Sequence, residues 1–103
     1  MIVTRLPSFW RDLQAIVDYY CDAKEENRAI RFARAVDETI ESIERFPDLG
    51  SPWDSPDPEL ATMRFWLVKR FKRYLIVYQS FKNEIVIHRL FHGSQNIEEH
   101  LKS

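Results

Sequence analysis

Positively charged side chains are concentrated in residues 64–73, where five of the ten positions are Lys or Arg. Aromatic residues stand between these cations, at Phe65, Trp66 and Phe71. Cations bind phosphates and rings stack on bases, so this composition is typical of a single-stranded nucleic-acid site. Lys and Arg are also ordinary residues of hairpin turns, and the rings are equally suited to a core. The five cations are Arg64, Lys69, Arg70, Lys72 and Arg73.

Two further candidates lie near the end of the most hydrophobic stretch of the chain. Strand alternation places Arg89 on the face that holds Ile85, Ile87 and Phe91, where an unpaired guanidinium would be costly. We therefore expect Arg89 to pair with a carboxylate from a helix or to bind an anionic ligand. His92 precedes Gly93, where the strand opens to solvent. An imidazole there suits a general acid or base, or a hydrogen bond to the backbone.

Other chemistry has no counterpart in the residue pattern. Cys21 has no recognisable base beside it, and no serine has the His and Asp neighbours of a nucleophile. The three histidines, among them a His88 that we interpret as structural, lack carboxylates at metal-ligand spacing. Glycine-rich phosphate loops and helix-turn-helix signatures are also missing. We expect no metal, no cofactor and no ordinary acid–base enzyme.

Length and composition favour one domain over residues 1–103, in a reducing cytoplasm. The single cysteine excludes an internal disulfide framework, and no apolar run approaches the ~18 residues that cross a bilayer. The net charge of −1 conceals a division between the two parts of the chain. Residues 1–59 carry 7 basic and 13 acidic side chains, whereas residues 60–103 carry 8 and 3. Such asymmetry indicates an anionic partner or a solvated basic sheet edge.

Apolar spacing predicts two helices after a short strand at residues 2–6. We expect Ser8 to cap the first helix, whose stripe runs from Phe9 to Tyr20 at spacings of three and four. The second helix carries its own stripe and ends before Pro47. A short connection between them indicates an antiparallel helical hairpin. The second stripe consists of Ala29, Ala33, Val36, Ile40 and Ile43.

The second half of the chain has the alternation of strands. A proline-rich loop at residues 47–58 precedes three predicted strands at 63–68, 74–79 and 85–91, which form an antiparallel meander. Asn96 is a candidate cap for a short terminal helix that ends at Leu101. The fold class is α+β, with the order β-α-α-β-β-β(-α) and a helical hairpin on a small antiparallel sheet.

The strands are apolar on both faces, with Ile85 and Ile87 on one face and Val86 and Leu90 on the other. The helical hairpin covers one face only. We favour an oligomer or a partner segment as the cover of the second face. The alternative is that the terminal helix and the proline-rich loop cover it.

Taken together, these segments resemble the ParE branch of the ParE/RelE toxins of bacterial type II toxin–antitoxin systems, along nearly the whole chain. The matching pieces are residues 12–20 (DLQAIVDYY), 29–32 (AIRF), 46–52 (FPDLGSP), 63–64 (MR), 74–78 (YLIVY) and 87–93 (IHRLFHG). ParE sequences commonly continue with an Arg-Asp pair after His-Gly, whereas this chain has Gln95 and Asn96.

The resemblance implies a small cytoplasmic toxin of a plasmid-stabilisation system, which inhibits DNA gyrase by protein–protein contact rather than by catalysis. A ParD-like antitoxin would neutralise it by wrapping an initially disordered C-terminal segment around it, giving a hetero-oligomer. We expect Arg64, Arg70 and Arg73 to contact the antitoxin. We expect Arg89, His92 and the C-terminal segment to contact the target.

Two alternatives stay open. The RelE branch shares the fold and cuts messenger RNA on the ribosome. Ribonuclease relatives tend to carry an Arg within the third strand and a Tyr or base near the end of the fourth. Residues 74–78 hold no Arg, and Gly93 stands where those relatives have the Tyr or base. Both absences favour the ParE branch. The other alternative is a degenerate scaffold that binds antitoxin and is not toxic. The ribonuclease set would be Arg64, Lys69, Arg70, Arg89 and His92.

Overall fold

The computed structural model describes residues 1–94 and residue 101, and within them the chain forms two helices and five strands. Both helices and all three long strands lie within a few residues of their predicted positions. In chain order the elements are β1 (Ile2–Arg5), α1 (Pro7–Asp22), α2 (Glu26–Arg45), β2 (Ser51–Pro52), β3 (Met63–Val68), β4 (Phe71–Ser80) and β5 (Glu84–His92).

The five strands form one mixed sheet in the order β1-β5-β4-β3-β2. The meander of β3, β4 and β5 is antiparallel, as the sequence predicts. β1 instead pairs parallel with β5, in a register that runs from Ile2 opposite Glu84 to Arg5 opposite Ile87. The predicted α+β fold with a helical hairpin on the sheet is confirmed, and the sheet departs from the predicted antiparallel pairing at this edge. The helical hairpin carries the chain across the sheet after β1, so the long crossover that a parallel pair needs is available.

Ser8 does not cap α1. The helix begins at Pro7, Leu6 occupies the N-cap position, and no side chain caps the free amides. A proline fits the first helical turn because its missing N–H has no partner there in any case. The Ser8 hydroxyl instead donates to the carbonyl oxygen of His88, at 2.7 Å. The side chain thus joins α1 to the edge of β5 beyond the point where β1 ends.

A β-bulge at His88 changes which side chains of β5 share a face. Tyr78 of β4 lies opposite Ile87, and the preceding Val77 lies opposite Arg89, so His88 is the extra residue. One extra residue inverts the alternation that follows it. Leu90 therefore packs with Ile87 beneath the helices, and not on the opposite face as the sequence analysis expected.

The main core lies between the helical hairpin and the sheet. α2 buries four of the five residues of its predicted stripe, and the exception, Ala33, is half-buried. Rings meet edge to face where α2 crosses the sheet, with Phe32 5.1 Å from Phe71 and 4.9 Å from Tyr74 between centroids. The buried residues of α2 are Ala29, Phe32, Ala35, Val36, Thr39, Ile40 and Ile43.

The opposite face of the sheet holds a second, smaller cluster of Leu75, Val77 and Phe91, all buried. Trp53 of the proline-rich loop, Leu101 and two β3 side chains pack against it. Cover from the same chain therefore buries these three side chains, which was the alternative to the partner that we favoured. The predicted terminal helix from Asn96 lies outside the described residues, apart from Leu101.

Candidate functional site

The loop after α2 is tied to the sheet through Tyr78. The Tyr78 hydroxyl donates to the carbonyl oxygen of Pro47 and accepts from the Gly50 amide, each at 2.8 Å. Burial raises the pKa of Tyr78, so the hydroxyl stays protonated and can make both bonds at neutral pH. A Cβ atom at Gly50 would lie 2.6 Å from the Tyr78 hydroxyl oxygen and 2.8 Å from the Phe65 carbonyl oxygen. Only glycine allows this close approach.

Arg64 serves the same loop. Its Nη1 donates to the Gly50 carbonyl oxygen at 2.7 Å, and its Nη2 lies 3.6 Å from an Asp48 carboxylate oxygen. The Arg64 side chain is 28% exposed, so most of the guanidinium is engaged within the chain. Arg64 thus holds the loop against β3, although the sequence placed it among the antitoxin contacts and the ribonuclease candidates.

The turn between β3 and β4 is joined to α2. Arg70 adopts the left-handed conformation, with φ 68°, and its guanidinium donates to Glu38 at 3.0 Å. Lys69 Nζ lies 3.7 Å from the same carboxylate, and its amide donates to the buried Thr39 hydroxyl at 3.0 Å. The hydrogen bond from Arg70 is the main cause that lowers the pKa of Glu38. Two of the predicted cations, Lys69 and Arg70, therefore share the Glu38 carboxylate.

Arg89 has the helix carboxylate that its position in a hydrophobic strand requires. Asp12 of α1 accepts from Arg89 Nε at 2.7 Å and from Nη2 at 3.1 Å, and also from the Leu90 amide at 3.0 Å. The guanidinium lies over the Phe91 ring, 4.5 Å from its centroid. The bulge separates Arg89 from Ile85 and Ile87, contrary to the face that we expected. Asp12 thus neutralises the Arg89 guanidinium and accepts a hydrogen bond from the backbone at the edge of β5.

His92 lies at the end of β5, beside Tyr74. The two rings meet edge to face with centroids 5.1 Å apart. The Ser94 amide donates to His92 Nδ1 at 3.1 Å, and the Ser94 hydroxyl lies 2.6 Å from the same nitrogen. Because an amide can only donate, Nδ1 acts as an acceptor and the neutral ring carries its proton on Nε2.

His88 occupies the bulge on β5 and contacts Gln79 of β4. The Gln79 amide nitrogen donates to the Thr62 hydroxyl at 2.8 Å, which directs Gln79 Oε1 towards His88 Nε2 at 2.7 Å. Burial lowers the pKa of His88 below its ordinary 6.5. His88 is therefore neutral and structural, as the sequence analysis interpreted it.

This burial makes the free energy of unfolding depend on pH. Below 6.5 the unfolded chain protonates His88 while the folded chain resists protonation, so stability falls as the pH drops below 6.5. Above pH 6.5 the contribution of the neutral, buried His88 to stability is fully present. We expect H88Q to lose this part of the pH dependence in urea titrations between about pH 5 and 7. An equal dependence of the free energy of unfolding on pH in the native chain and in H88Q would contradict the assignment.

A groove with basic walls runs between α2 and the β3–β4 turn. It consists of two adjoining cavities of about 500 Å³ and 510 Å³ that share Arg28, Arg70 and Phe71. Tyr19, Tyr20, Tyr74 and His92 line its far end. We call it the basic groove, and its cations are Arg28, Arg31, Arg34, Arg70, Lys72 and Arg73.

Half of these cations come from α2, and the sequence analysis missed them as site residues. Arg28, Arg31 and Arg34 are spaced three apart, which places them along one side of the helix. That spacing was the available signal. Arg70 and Arg73 line the same cavity of the groove, whereas Arg64 lies apart from them.

The five ribonuclease candidates do not all converge. Arg70 and His92 line the same cavity. Arg64 lies at the 47–50 loop, Lys69 beside Arg70 at the Glu38 carboxylate, and Arg89 at the edge of β5 with Asp12. Each of these three has an acceptor within the chain.

Residues 1–94 and 101 contain no group of three or more His, Cys, Asp or Glu side chains that would hold a metal ion. Within the same residues, no helix has both the length and the hydropathy of a membrane span.

The fold and the site define a small α+β protein with a helical hairpin on a mixed sheet, a tyrosine-held loop and a basic groove. Residues 3–97 match the family described as the ParE toxin of type II toxin–antitoxin systems, parDE, and the chain belongs to that family. A solved structure described as the chromosomal ParDE toxin–antitoxin system from P. aeruginosa is similar in fold. Its TM-score is 0.72 at 20% identity, over 89% of this chain and 95% of the other. No curated protein sequence matches the chain.

Proposed function

We propose that this ParE-family chain is a toxin that inhibits DNA gyrase by surface contact and that a ParD-like antitoxin neutralises it. The observation that carries the proposal is the dispersal of the candidate cations. Arg64, Lys69 and Arg89 each bind an acceptor of their own chain, in three separate places. Phosphoryl chemistry needs its cations gathered around one phosphate, in positions where the developing charge forms. Family membership supports the toxin role.

The target surface that we propose is the end of β5 with the C-terminal segment after it. His92 is partly exposed there, and Arg89 lies three residues earlier over the Phe91 ring. Asp12 and Phe91 hold the guanidinium in one orientation. We assign target contact to both residues.

The antitoxin contact that we propose involves Arg70 and Arg73, with Arg64 acting through the loop that it holds. The antitoxin would place its C-terminal segment along this side of the toxin.

A gyrase assay tests the toxin role. Purified, antitoxin-free protein is added to gyrase, supercoiled plasmid and ATP, and linear, protein-linked DNA is expected in proportion to the toxin. H92A should lower the amount by about fivefold, which corresponds to ~1 kcal/mol of lost contact. H88Q is the matched control, because it alters a histidine of the same strand that lies outside the target surface. Unchanged gyrase, or equal loss in both variants, would refute this mechanism.

One observation favours a second candidate, the RelE-like ribonuclease. Arg70, Arg73, Tyr74 and His92 all line the cavity of about 500 Å³ at the end of the basic groove. Cations, a hydroxyl and an imidazole in one cavity are the groups that attack by a 2′-hydroxyl requires. Message cleaved on translating ribosomes, with loss of cleavage in H92A, would establish this alternative.

A further inference from the structure

We propose that the basic groove binds the phosphate backbone of double-stranded DNA. The contacts would come from the arginines in the first half of α2 and from the cations at the start of β4 that line the same groove. The inference deepens the proposed function and rests on it for one consequence only, which is that the toxin contacts the DNA held by gyrase as well as the enzyme.

The charge of the groove is unbalanced. Six exposed cations line it together with two carboxylates, Glu25 and Glu38. Glu38 already binds Arg70 and Lys69, and Glu25 lies 3.8 Å from Arg28. Such a surface favours a polyanion, since each phosphate that a cation neutralises releases a condensed counterion. Within residues 1–94 and 101, the groove cations with no carboxylate at ion-pair distance are Arg31, Arg34, Lys72 and Arg73.

The arginines of α2 have a spacing that matches successive phosphates. Arg28, Arg31 and Arg34 follow one another at about 4.5 Å along the helix axis, a total of about 9 Å. Each DNA strand carries one phosphate for about every 3.4 Å of duplex axis, so three successive phosphates cover about 7 Å. Long arginine side chains cover the difference, and a guanidinium binds a phosphate through two parallel hydrogen bonds.

Acidic side chains limit the contact to the first half of α2. Asp37, Glu41 and Glu44 follow the arginines on the same helix, and all three are exposed. They would repel phosphates, so DNA can approach only the N-terminal part of the helix, where the helix dipole also favours an anion. So small a contact predicts weak binding to free DNA, with a Kd of about 10⁻⁵ M.

The aromatic rings favour a duplex over a single strand. The bases of a single strand need free ring faces on which to stack. Tyr20 is buried, and the Arg28 guanidinium lies 5.3 Å from its ring centroid. Phe71 and Tyr74 pack edge to face against Phe32. The described groove ring that is largely exposed is Tyr19.

Weak binding is enough when gyrase supplies the DNA. His92 belongs both to the proposed target surface and to the far end of the groove, so the two contacts adjoin. A toxin held on gyrase would therefore meet the bound duplex at a high effective concentration. The antitoxin contact proposed for Arg70 and Arg73 overlaps the groove, so the antitoxin would exclude the DNA when it binds.

Fluorescence anisotropy with the purified full chain and no gyrase tests the proposal. The probe is a short fluorescein-labelled DNA duplex, and a single-stranded RNA of the same length is compared with it. The groove variant is R31Q/R34Q. The matched control is R11Q/K82Q, which removes two positive charges at exposed sites on α1 and the β4–β5 turn. Circular dichroism verifies that both variants fold.

Four phosphate contacts predict that the logarithm of the binding constant falls with the logarithm of the salt concentration at a slope of about −3.6. We expect R31Q/R34Q to bind the duplex at least about tenfold more weakly and to reduce the slope to about −1.8. R11Q/K82Q should stay within about twofold of the native chain, because exposed charges outside the site act weakly. Equal weakening in the two variants, an unchanged slope in R31Q/R34Q, or tighter binding of the single-stranded RNA would each overturn the proposal.

The gyrase assay on the same samples separates this inference from the proposed function. We expect the native chain both to bind the duplex and to trap gyrase. Duplex binding without trapped gyrase complex would sustain the groove and refute the gyrase mechanism. Trapped gyrase complex without duplex binding would refute the groove alone.

Discussion

Replacing Gly50 with alanine is expected to lower the free energy of unfolding by about 3 kcal/mol, the upper part of the usual overpacking range. The added Cβ would lie 2.6 Å and 2.7 Å from two atoms of the buried Tyr78 side chain and 2.8 Å from the Phe65 carbonyl oxygen. Neither the packed ring nor the β3 backbone can move away freely. Relief would separate the loop from Tyr78 and break its hydrogen bond with the Gly50 amide.

Gly93→Ala is the matched control, since its Cβ would approach only the Arg73 carbonyl oxygen among the described residues, at 3.4 Å. Urea titration measures both variants, and we expect a loss of under ~1 kcal/mol for G93A. A G50A variant as stable as G93A would show that the 47–50 loop does not pack on Tyr78 in this way. Y78F gives an independent measure, because it removes both hydrogen bonds without adding volume.

Removing the carboxylate of Asp12 is expected to lower stability by about 2–3 kcal/mol. Asp12→Ala takes away both hydrogen bonds to the Arg89 guanidinium and the bond to the Leu90 amide. The cation would lose this carboxylate in a place where its side chain is only 24% exposed. Chemical denaturation of D12A provides the measurement.

The control lies on the same helix. Asp18 is exposed and accepts only from the Gln14 side chain among the contacts of the described residues, so D18A should change stability by under ~0.5 kcal/mol. A double-mutant cycle of D12A with R89A isolates the pair, and we expect a coupling above ~1 kcal/mol. Additive losses would mean that Asp12 stabilises β5 through the Leu90 amide alone.

Hydrophobic spacing was enough to predict the helices and the three long strands, because each element must bury one side. The exceptions arise from contacts that no local pattern records. The bulge at His88 inverts a face without any signal in the alternation, so Leu90 and Arg89 were misplaced. Ser8 has the chemistry of a helix cap, yet its hydroxyl donates to the nearby carbonyl oxygen of His88. The parallel pairing of β1 depends on the path of the whole chain.

The candidate site was harder to predict than the fold. A buried guanidinium demands a carboxylate, so Arg89 could be predicted to pair, but nothing in the sequence singled out Asp12. Arg64 looked like a surface cation because the return of the 47–50 loop to β3 is a long-range contact. Basic residues of the acidic first half, on α2, join those of the basic second half in one groove. Counting charges along the sequence therefore did not predict the basic groove, which forms only when the fold brings these residues together.

The stoichiometry of inhibition tests most directly whether this chain acts by contact rather than by catalysis. Antitoxin-free protein is titrated against a fixed amount of gyrase, while a parallel sample is incubated with translating ribosomes. We expect trapped gyrase–DNA complex to rise with toxin and to level off when toxin matches gyrase, with the message intact. Message cleaved many times per toxin molecule, with gyrase unaffected, would contradict the contact mechanism and establish a ribonuclease.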